Sequence, residues 1–431
     1  MSHRLVFRLK KSIRSILPKP LFEAYLWMYP AIGNLIYGRP SSKLRVIGVT
    51  GTDGKSSTVL LTARLLQAAG HKVGFFSSIA YHDGLVEQPN TFKMTMPGRL
   101  FLQRFLRTLV DNDCDIAILE VTSEGIKQKR HAFIQFDTVL CTNITPEHIE
   151  AHGGFAAYLK AKQELFRRYP KTIIVNADDP NAAALATFAA GQKMTYGFGT
   201  KADVQGTILS QNLYQSTLRV HTSDKSSTIV ALPLGGPFVA HNALAAITVA
   251  HSFGMKLSTA AALKDMPTIP GRFQIVSRQP LVIVDYAHTV AALEILLPYL
   301  RAEWPSDIIH VFGAAGGGRD SWKRPVLAHL SEQWTDRQVL SEENSFDEPT
   351  EQILREIRAG FASKKDVLVI PKRLNAVKRA LTLAHSSSLI LLTGKGCETV
   401  IAGPNGTREP YSEAKTVTCL LKNISSEESL A

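Results

Sequence analysis

The chain has 431 residues, 45% of them hydrophobic and 20% charged, which excludes a disordered or fibrous protein and leaves room for two or three domains. Its four cysteines, Cys114, Cys141, Cys397 and Cys419, form no C-x-x-C pair, so neither a disulfide framework nor a zinc site is indicated and a reducing, cytoplasmic setting is expected. The net charge of +12 is held unevenly: residues 1–45 contain nine Lys or Arg and one acid, Glu23, and no basic stripe interleaved with aromatics occurs elsewhere, so nucleic acid is not an expected partner.

The leader, residues 1–44, comes first. Arg4, Arg8, Lys10, Lys11, Arg14 and Lys19 are interleaved with Leu5, Val6, Phe7, Leu9, Ile13, Ile16 and Leu17. An apolar stretch over 21–37 follows, broken by Glu23, Pro30 and Asn34. It is too broken for a transmembrane helix, and it lacks the small-residue end of a signal peptide. Two readings stand side by side. One is a basic amphipathic segment in peripheral contact with an anionic membrane through residues 1–40. The other is a helix packed on the body with its charges in solvent.

From residue 45 onward short apolar strands alternate with helical patterns. Strands are predicted at 45–49, 72–76, 115–121, 138–143 and 172–176, with helices beginning near Lys55, Gly98 and Phe155. This alternation predicts an α/β fold, a doubly wound and mostly parallel sheet in a central domain over 45–270. Antiparallel strands are expected at 204–209, 217–221 and 227–232, an Ala-rich helix over 242–253, and a linker at 267–271. A second alternating set, 281–284, 308–312, 367–370 and 389–393, predicts a separate Rossmann-like α/β domain over 271–431.

The densest chemical signal is the run from Gly48 to Thr58, G-V-T-G-T-D-G-K-S-S-T, set between a predicted strand and a predicted helix. Glycines let backbone N–H groups close around an anion, and the helix N-terminus adds the positive end of its dipole. Gly51, Thr52, Asp53, Gly54, Lys55, Ser56 and Ser57 are therefore the expected phosphate-binding residues. Lys55 reaches for the outer phosphates and the Ser56 hydroxyl for Mg²⁺. Glu120 ends the apolar strand 116–119, where strand ends gather near such a loop, so its carboxylate is a second metal candidate. His148 and His152 are four apart but lack the intervening Glu of a zinc protease. Lys162 falls on the apolar stripe made by Tyr158, Leu165, Phe166 and Tyr169. A lysine facing inward needs an acid partner, a lowered pKa or a chemical modification; otherwise it snorkels to solvent.

The segments G-T-D-G-K-S-S-T, L-E-V-T-S-E-G, T-N-I-T-P-E-H-I-E-A-H-G, Y-L-K-A-K-Q-E-L-F, V-N-A-D-D-P, H-N-A-L-A-A, P-G-R-F, D-Y-A-H-T and G-K-G-C-E occur in this order. Together, over about 43–415, they resemble the Mur ligases, in particular the UDP-N-acetylmuramyl-tripeptide synthetase branch. The resemblance implies an ADP-forming amide ligase of peptidoglycan precursor synthesis. In that family a substrate carboxylate takes the γ-phosphate of ATP as an acyl phosphate, and an amino acid's amine then displaces it. Bringing two anions together requires cations to screen them.

The resemblance assigns roles residue by residue. Lys55, His148, Lys162 and Arg272 are the implied catalytic residues. Ser56 and Glu120 would hold one Mg²⁺, and His148 with a carbamylated Lys162 a second, since carbamylation turns the amine into an anionic oxygen ligand. Asn242 would contact adenine, Asp285 the ribose and Arg272 the γ-phosphate. Thr95, Thr122, Gln128 and Arg130 match positions that hold the nucleotide-sugar peptide acceptor. Arg319, Gly394 and Glu398 match positions that hold the incoming amino acid.

Departures are equally specific. Asp53 stands where many relatives have Asn, S-S-H-G reads Thr122-Ser123-Glu124-Gly125, and G-K-G-H-E reads Gly394-Lys395-Gly396-Cys397-Glu398. The family's D-N-P-R box, whose arginine grips the distal carboxylate of diaminopimelate, aligns with Glu342-Glu343-Asn344-Ser345, so the added amino acid stays open. About 44 residues precede the central domain, too few for the family's N-terminal uridine-binding domain. Two rival readings share the architecture: a folylpolyglutamate synthase-like ligase, and a non-catalytic ATP-binding partner.

Overall fold

The computed structural model describes residues 18–428 other than Lys93, Thr200 and 364–366. The cations at Arg4, Arg8, Lys10, Lys11 and Arg14 lie outside the described residues. Two compact units divide between Pro267 and Thr268.

The first unit begins with α1 (Lys19–Ile36), then β1 (Arg45–Thr50), α2 (Lys55–Ala68), β2 (Val73–Phe76), β3 (Ala80–His82), β4 (Glu87–Pro89), α3 (Arg99–Asp111) and β5 (Ile116–Glu120). It continues with α4 (Ser123–Lys127), β6 (Thr138–Cys141), α5 (Ile149–His152), α6 (Phe155–Phe166), β7 (Thr172–Asn176), α7 (Pro180–Ala183) and β8 (Gln192–Gly197). It closes with β9 (Val204–Gln211), β10 (Ser216–Thr222), β11 (Ser227–Leu232) and α8 (Val239–Ser252). Its eleven-stranded sheet has the order β11-β10-β9-β8-β7-β6-β1-β5-β2-β3-β4. The segment from β9 to β2 through β1 is parallel, and antiparallel strands finish both edges. β1, β5, β6 and β7 read as unbroken apolar runs because helices cover both faces, and only Arg45 of β1 is exposed.

Helix α1 packs on α3, so closely that a Cβ on Gly33 would lie 3.1 Å from the Leu100 side chain and 3.2 Å from that of Gln103. Residues 19–36 thus form a helix packed on α3, and both readings of the leader stay open.

The second unit contains β12 (Gln274–Arg278), β13 (Leu281–Val284), α9 (Val290–Glu303), β14 (Ile308–Phe312), α10 (Lys323–Trp334), β15 (Arg337–Leu340) and α11 (Thr350–Ala359). β16 (Val367–Val369), α12 (Arg373–Leu383), β17 (Leu389–Leu392), β18 (Val400–Ala402), β19 (Arg408–Pro410) and α13 (Glu413–Glu428) follow. Its six-stranded sheet runs β12-β13-β17-β14-β15-β16, parallel except for β12, and β18 pairs with β19 in a separate hairpin. Val282, Val284, Ile309, Val311, Ile390 and Leu392 form its core.

The α/β expectation holds in both units. The sequence reading passes over β3, β4, β8, β12, β15, β18 and β19, and the first three show why. β3 and β4 are three residues each and largely polar, while β8 opens with exposed Gln192 and Lys193. These strands exist because a neighbouring strand supplies their hydrogen bonds, not because their residues demand extension.

Candidate active site

β1 delivers the chain into the 51–54 turn, and α2 begins at Lys55. Gly54 stands at φ 81° just before the helix and Gly51 at φ 143°, backbone regions that favour glycine. A Cβ on Gly51 would collide with the Thr142 hydroxyl, and one on Gly54 with the Asn242 side-chain oxygen. The turn is thus pressed between the end of β6 and α8, which is how Asn242 comes beside it. Side chains fix its shape from outside. Asn143 Oδ1 accepts from the Thr52 N–H (3.2 Å) and the Asp53 N–H (2.8 Å), and Thr142 Oγ1 donates to the Asp53 carbonyl (2.7 Å). Ser56 and Ser57 are buried in the first turn of α2.

Two lysines converge on this turn. Lys55 Nζ donates to the carbonyls of Thr52 (2.7 Å) and Gly51 (3.2 Å), and Lys162 Nζ, from α6, donates to the same Gly51 carbonyl at 2.6 Å. Lys162 is only 1% exposed. Burial, reinforced by the Lys55 charge and opposed by Cys141 and Asp53, lowers its pKa to about 7. The amine also lies 4.7 Å from the centre of the Tyr158 ring, whose hydroxyl is 2.8 Å from Thr52 Oγ1. Burial pushes the neighbouring Cys141 thiol up to about 12, so it stays protonated.

A second cluster lies where β5 ends. Ser56 Oγ donates to Glu120 Oε2 at 2.8 Å, the Ser78 N–H donates to the same oxygen at 2.7 Å, and Ser78 Oγ donates to Oε1 at 3.2 Å. A hydroxyl beside a buried carboxylate is a pair of hard oxygen donors of the kind Mg²⁺ takes. Two lysine amines on one carbonyl, next to a helix N-terminus, suit a polyphosphate. The residues present therefore fit a magnesium nucleotide.

The residues expected to hold the acceptor lie beyond Glu120. Thr95 Oγ1 is 2.7 Å from Ser78 Oγ, which links it to the Glu120 cluster. Arg130 donates to the Met96 carbonyl (2.5 Å) and to Gln128 Oε1 (2.6 Å), and Gln128 donates to Glu124. Thr122 caps α4 by accepting from the Gly125 N–H at 3.1 Å. His148 precedes α5 in a left-handed conformation, φ 57°. His152 stands 3.2 Å from Ser123 Oγ and edge-on to Tyr158.

In the second unit the Arg272 guanidinium lies 4.3 Å over the Tyr286 ring. Asp285 is buried, and its two oxygens accept from the N–H groups of Phe273 and Ala287, both at 2.6 Å, which ties the Arg272 segment to the end of β13. Gly394, Glu398 and the 342–345 run come together. Asn344 donates to Glu398 Oε2 (2.8 Å) and accepts from buried Lys395 (3.0 Å), which also binds Glu398. Glu343 faces Gly394, and burial raises its pKa. Arg319 lies 4.8 Å over Phe346, directly after the run.

Sequence reasoning missed Ser78, Asn143 and Thr142. Each is an ordinary polar residue in a loop or at a strand end, and the T-N-I-T-P-E-H-I-E-A-H-G segment that holds Thr142 and Asn143 assigned neither a role. Only the Thr142-Asn143 pair at the end of a strand parallel to β1 offered a cue.

Comparison with known proteins gives the frame for this geometry. The chain matches the Mur ligase middle domain over residues 49–250 and the Mur ligase glutamate ligase domain over 271–396. It is 33% identical over 380 residues to the UDP-N-acetylmuramoyl-L-alanyl-D-glutamate–2,6-diaminopimelate ligase of Geobacillus kaustophilus, covering 85% of this chain and 77% of that one. To the ligase of the same name from Cytophaga hutchinsonii it is 34% identical, covering 91% and 81%. A solved structure of a ligase of that name superposes with a TM-score of 0.60 at 27% identity over 89% of this chain and 79% of that one. Folylpolyglutamate synthase from Mycobacterium tuberculosis shares the fold, with a TM-score of 0.69 at 17% identity over 85% and 92%. With both domain patterns matched in order, the first opening on this glycine turn, the chain belongs to the Mur ligases, the family of ATP-dependent amide-bond ligases.

Proposed function

We propose that this chain adds an amino acid to a UDP-N-acetylmuramoyl-peptide-type acceptor in the cytoplasm, as the tripeptide-synthetase branch does, through an acyl phosphate and with release of ADP. The observation that carries this reading is the convergence of Lys55, Lys162, Ser56 and Glu120 on one glycine turn, in a chain similar throughout both domains to ligases of that name.

In this reading Lys55 and the turn amides bind the outer phosphates, Ser56 and Glu120 hold one Mg²⁺, and His148 with Lys162 hold a second. Magnesium, when bound, screens the charge of the two anions that must meet. A pKa near 7 leaves a large neutral fraction of the Lys162 amine at physiological pH, and the neutral amine is the form that takes up CO₂. The carbamate would carry its negative charge beside Lys55, which offsets the cost of burying it. Asn242 holds adenine, Asp285 sets the Arg272 segment and the ribose, and Arg272 reaches the γ-phosphate. Thr95, Thr122, Gln128 and Arg130 position the acceptor, and Arg319, Gly394 and Glu398 the amino acid. Peripheral contact with an anionic membrane through residues 1–40 belongs to the same reading.

The test is phosphate release from ATP and Mg²⁺ with UDP-N-acetylmuramoyl-dipeptide and a panel of amino acids, products weighed by mass spectrometry. A product one amino acid heavier supports the reading and names the substrate. Since 342–345 offers carboxylates and no arginine, diaminopimelate is not expected to be preferred over lysine. Silence across the panel with nucleotide still bound would remove the uridine-linked acceptor and turn the search to lipid-linked or folate acceptors.

A further inference from the structure

Helix α1 buries Leu26, Pro30 and Gly33, yet its other side is apolar as well. Leu21 is 57% exposed, Met28 46%, Ile32 42% and Leu35 74%, and their spacing places them on one stripe. Trp27, 38% exposed, stands about 110° round the helix from the stripe, at the edge of the buried face and edge-on to Phe133. Scattered apolar residues on a surface need no explanation, but a row of them along one helix marks an interaction face.

A cavity of about 360 Å³ lies at the C-terminal end of α1, lined by Asn34, Arg39, Ser41, Phe133, Gln135 and Arg168. Arg39 is held at φ 52°, and neither the Arg39 nor the Arg168 guanidinium makes a hydrogen bond or ion pair among the described residues. Burial lowers the Arg168 pKa; the opposing acid, Glu164, is itself bonded to Arg167 at 2.9 Å. Arg168 and Lys129 both approach the Trp27 ring, at 6.0 and 5.5 Å from its centre. Trp27 and the two arginines thus gather at the flank of α1, about a third of a turn round the helix from the apolar stripe. Two arginines with no ion pair of their own at a cavity call for an anion, and the stripe farther round the same helix calls for an apolar phase.

We propose that α1 lies in the interface of an anionic phospholipid membrane, its Leu21–Met28–Ile32–Leu35 stripe at the acyl boundary and a lipid phosphate seated between Arg39 and Arg168. This rests on the peripheral-contact part of the function proposed above and names the face and the headgroup site that make it. Nine cations against one acid in residues 1–45 supply the matching long-range attraction.

The test is flotation of the full chain with phosphatidylcholine vesicles, with and without phosphatidylglycerol. Wild type should partition into the anionic vesicles roughly tenfold or more above neutral ones, with a blue shift of fluorescence that Trp27→Phe diminishes. Arg39→Gln with Arg168→Gln should weaken anionic binding by about thirtyfold, some fivefold for each cation lost. Ile32→Ser with Leu35→Ser should weaken it by roughly tenfold or more, and because these side chains are exposed the variants should keep the wild-type melting temperature. No flotation of the wild type overturns the peripheral contact and this site together. Flotation that survives both double substitutions overturns the site and leaves the contact to other residues. A dimer in light scattering that Ile32→Ser with Leu35→Ser abolishes would assign the stripe to a second copy instead. Phosphate release with a soluble acceptor, run in parallel, separates these outcomes from failure of the ligase reading.

Discussion

Lys162 concentrates the chemistry of the first unit. Its amine is fully enclosed, bonded to Gly51 O and opposed by Lys55, so protonation is disfavoured above about pH 7. Carbamylation needs the neutral amine, so its extent should rise as pH climbs through 7. In protein exchanged into ¹³C-bicarbonate, a carbamate resonance should grow between pH 6 and 8 and vanish in Lys162→Gln; no resonance at pH 8 would remove the modification from the mechanism. Activity in CO₂-depleted buffer should recover on adding bicarbonate. The Ser56–Glu120 pair makes a second demand, because each side chain is expected to supply one oxygen to the same ion. Glu120→Gln should lower kcat by about two orders of magnitude, the size typical of losing one preorganised electrostatic partner, and should raise the Mg²⁺ needed for half-maximal rate. An unchanged magnesium dependence would place the ion elsewhere.

At the scale of elements, the β1–α2 turn is shaped by its neighbours more than by its own residues. Thr142 and Asn143, at the end of β6, hold the Thr52–Asp53 backbone, and α8 presses Asn242 against Gly54. Gly51→Ala would place a methyl group against Thr142 in a backbone region that alanine rarely adopts. It should cost about 1–3 kcal/mol of stability and weaken ATP binding more than it lowers the melting temperature of the free protein. Calorimetric titration with ATP beside a thermal scan checks this, and unchanged affinity would show that the turn adapts. Asn143→Ala removes the side-chain oxygen that the Thr52 and Asp53 N–H groups share, leaving the Thr52 N–H its bond to the Asn143 carbonyl (2.9 Å), and should weaken nucleotide binding in the same direction.

Among the described residues of the whole molecule, burial lowers the pKa of His82, His131, His241 and His310, and most strongly that of His131 and His310. His131, in the first unit, and His310, in the second, both have their pKa lowered from 6.5 to about 3. His310 is enclosed on β14 with Ser331 Oγ at 2.8 Å on one nitrogen and Thr393 Oγ1 at 2.9 Å on the other. His131 has no partner for Nδ1 among the described residues. Unfolded chains take up these protons near pH 6.5 and the native chain only near pH 3, so the unfolded state binds more protons throughout that window. Native stability should therefore fall as pH drops from about 6.5 toward 3. Chemical denaturation at a series of pH values should show the midpoint moving down on acidification, and His131→Leu should flatten that slope. A midpoint level between pH 6.5 and 4 would mean that neither group pays a penalty on protonation in the native state. Lys162 works in the opposite range: its lowered pKa makes stability rise as pH increases from about 7 toward 10.5.

The sequence by itself determined the architecture and the seat of nucleotide chemistry. Both are written in local signals: apolar runs bounded by turn residues for β1, β5, β6 and β7, and a glycine-rich turn with Lys55 and Ser56 at a strand–helix junction. Lys162 was legible too, because one lysine breaks an apolar stripe at helical spacing. Tertiary structure alone decided what those residues meet. That Lys162 shares an acceptor with Lys55, that Ser78 braces Glu120, and that Asn242 rests on Gly54 each depend on pairings across tens of residues of chain. β8 and β15 likewise become strands only because a partner strand satisfies their backbone. Local pattern encodes burial and backbone preference. Partner, distance and proton affinity arise when segments remote in sequence exclude water around one another.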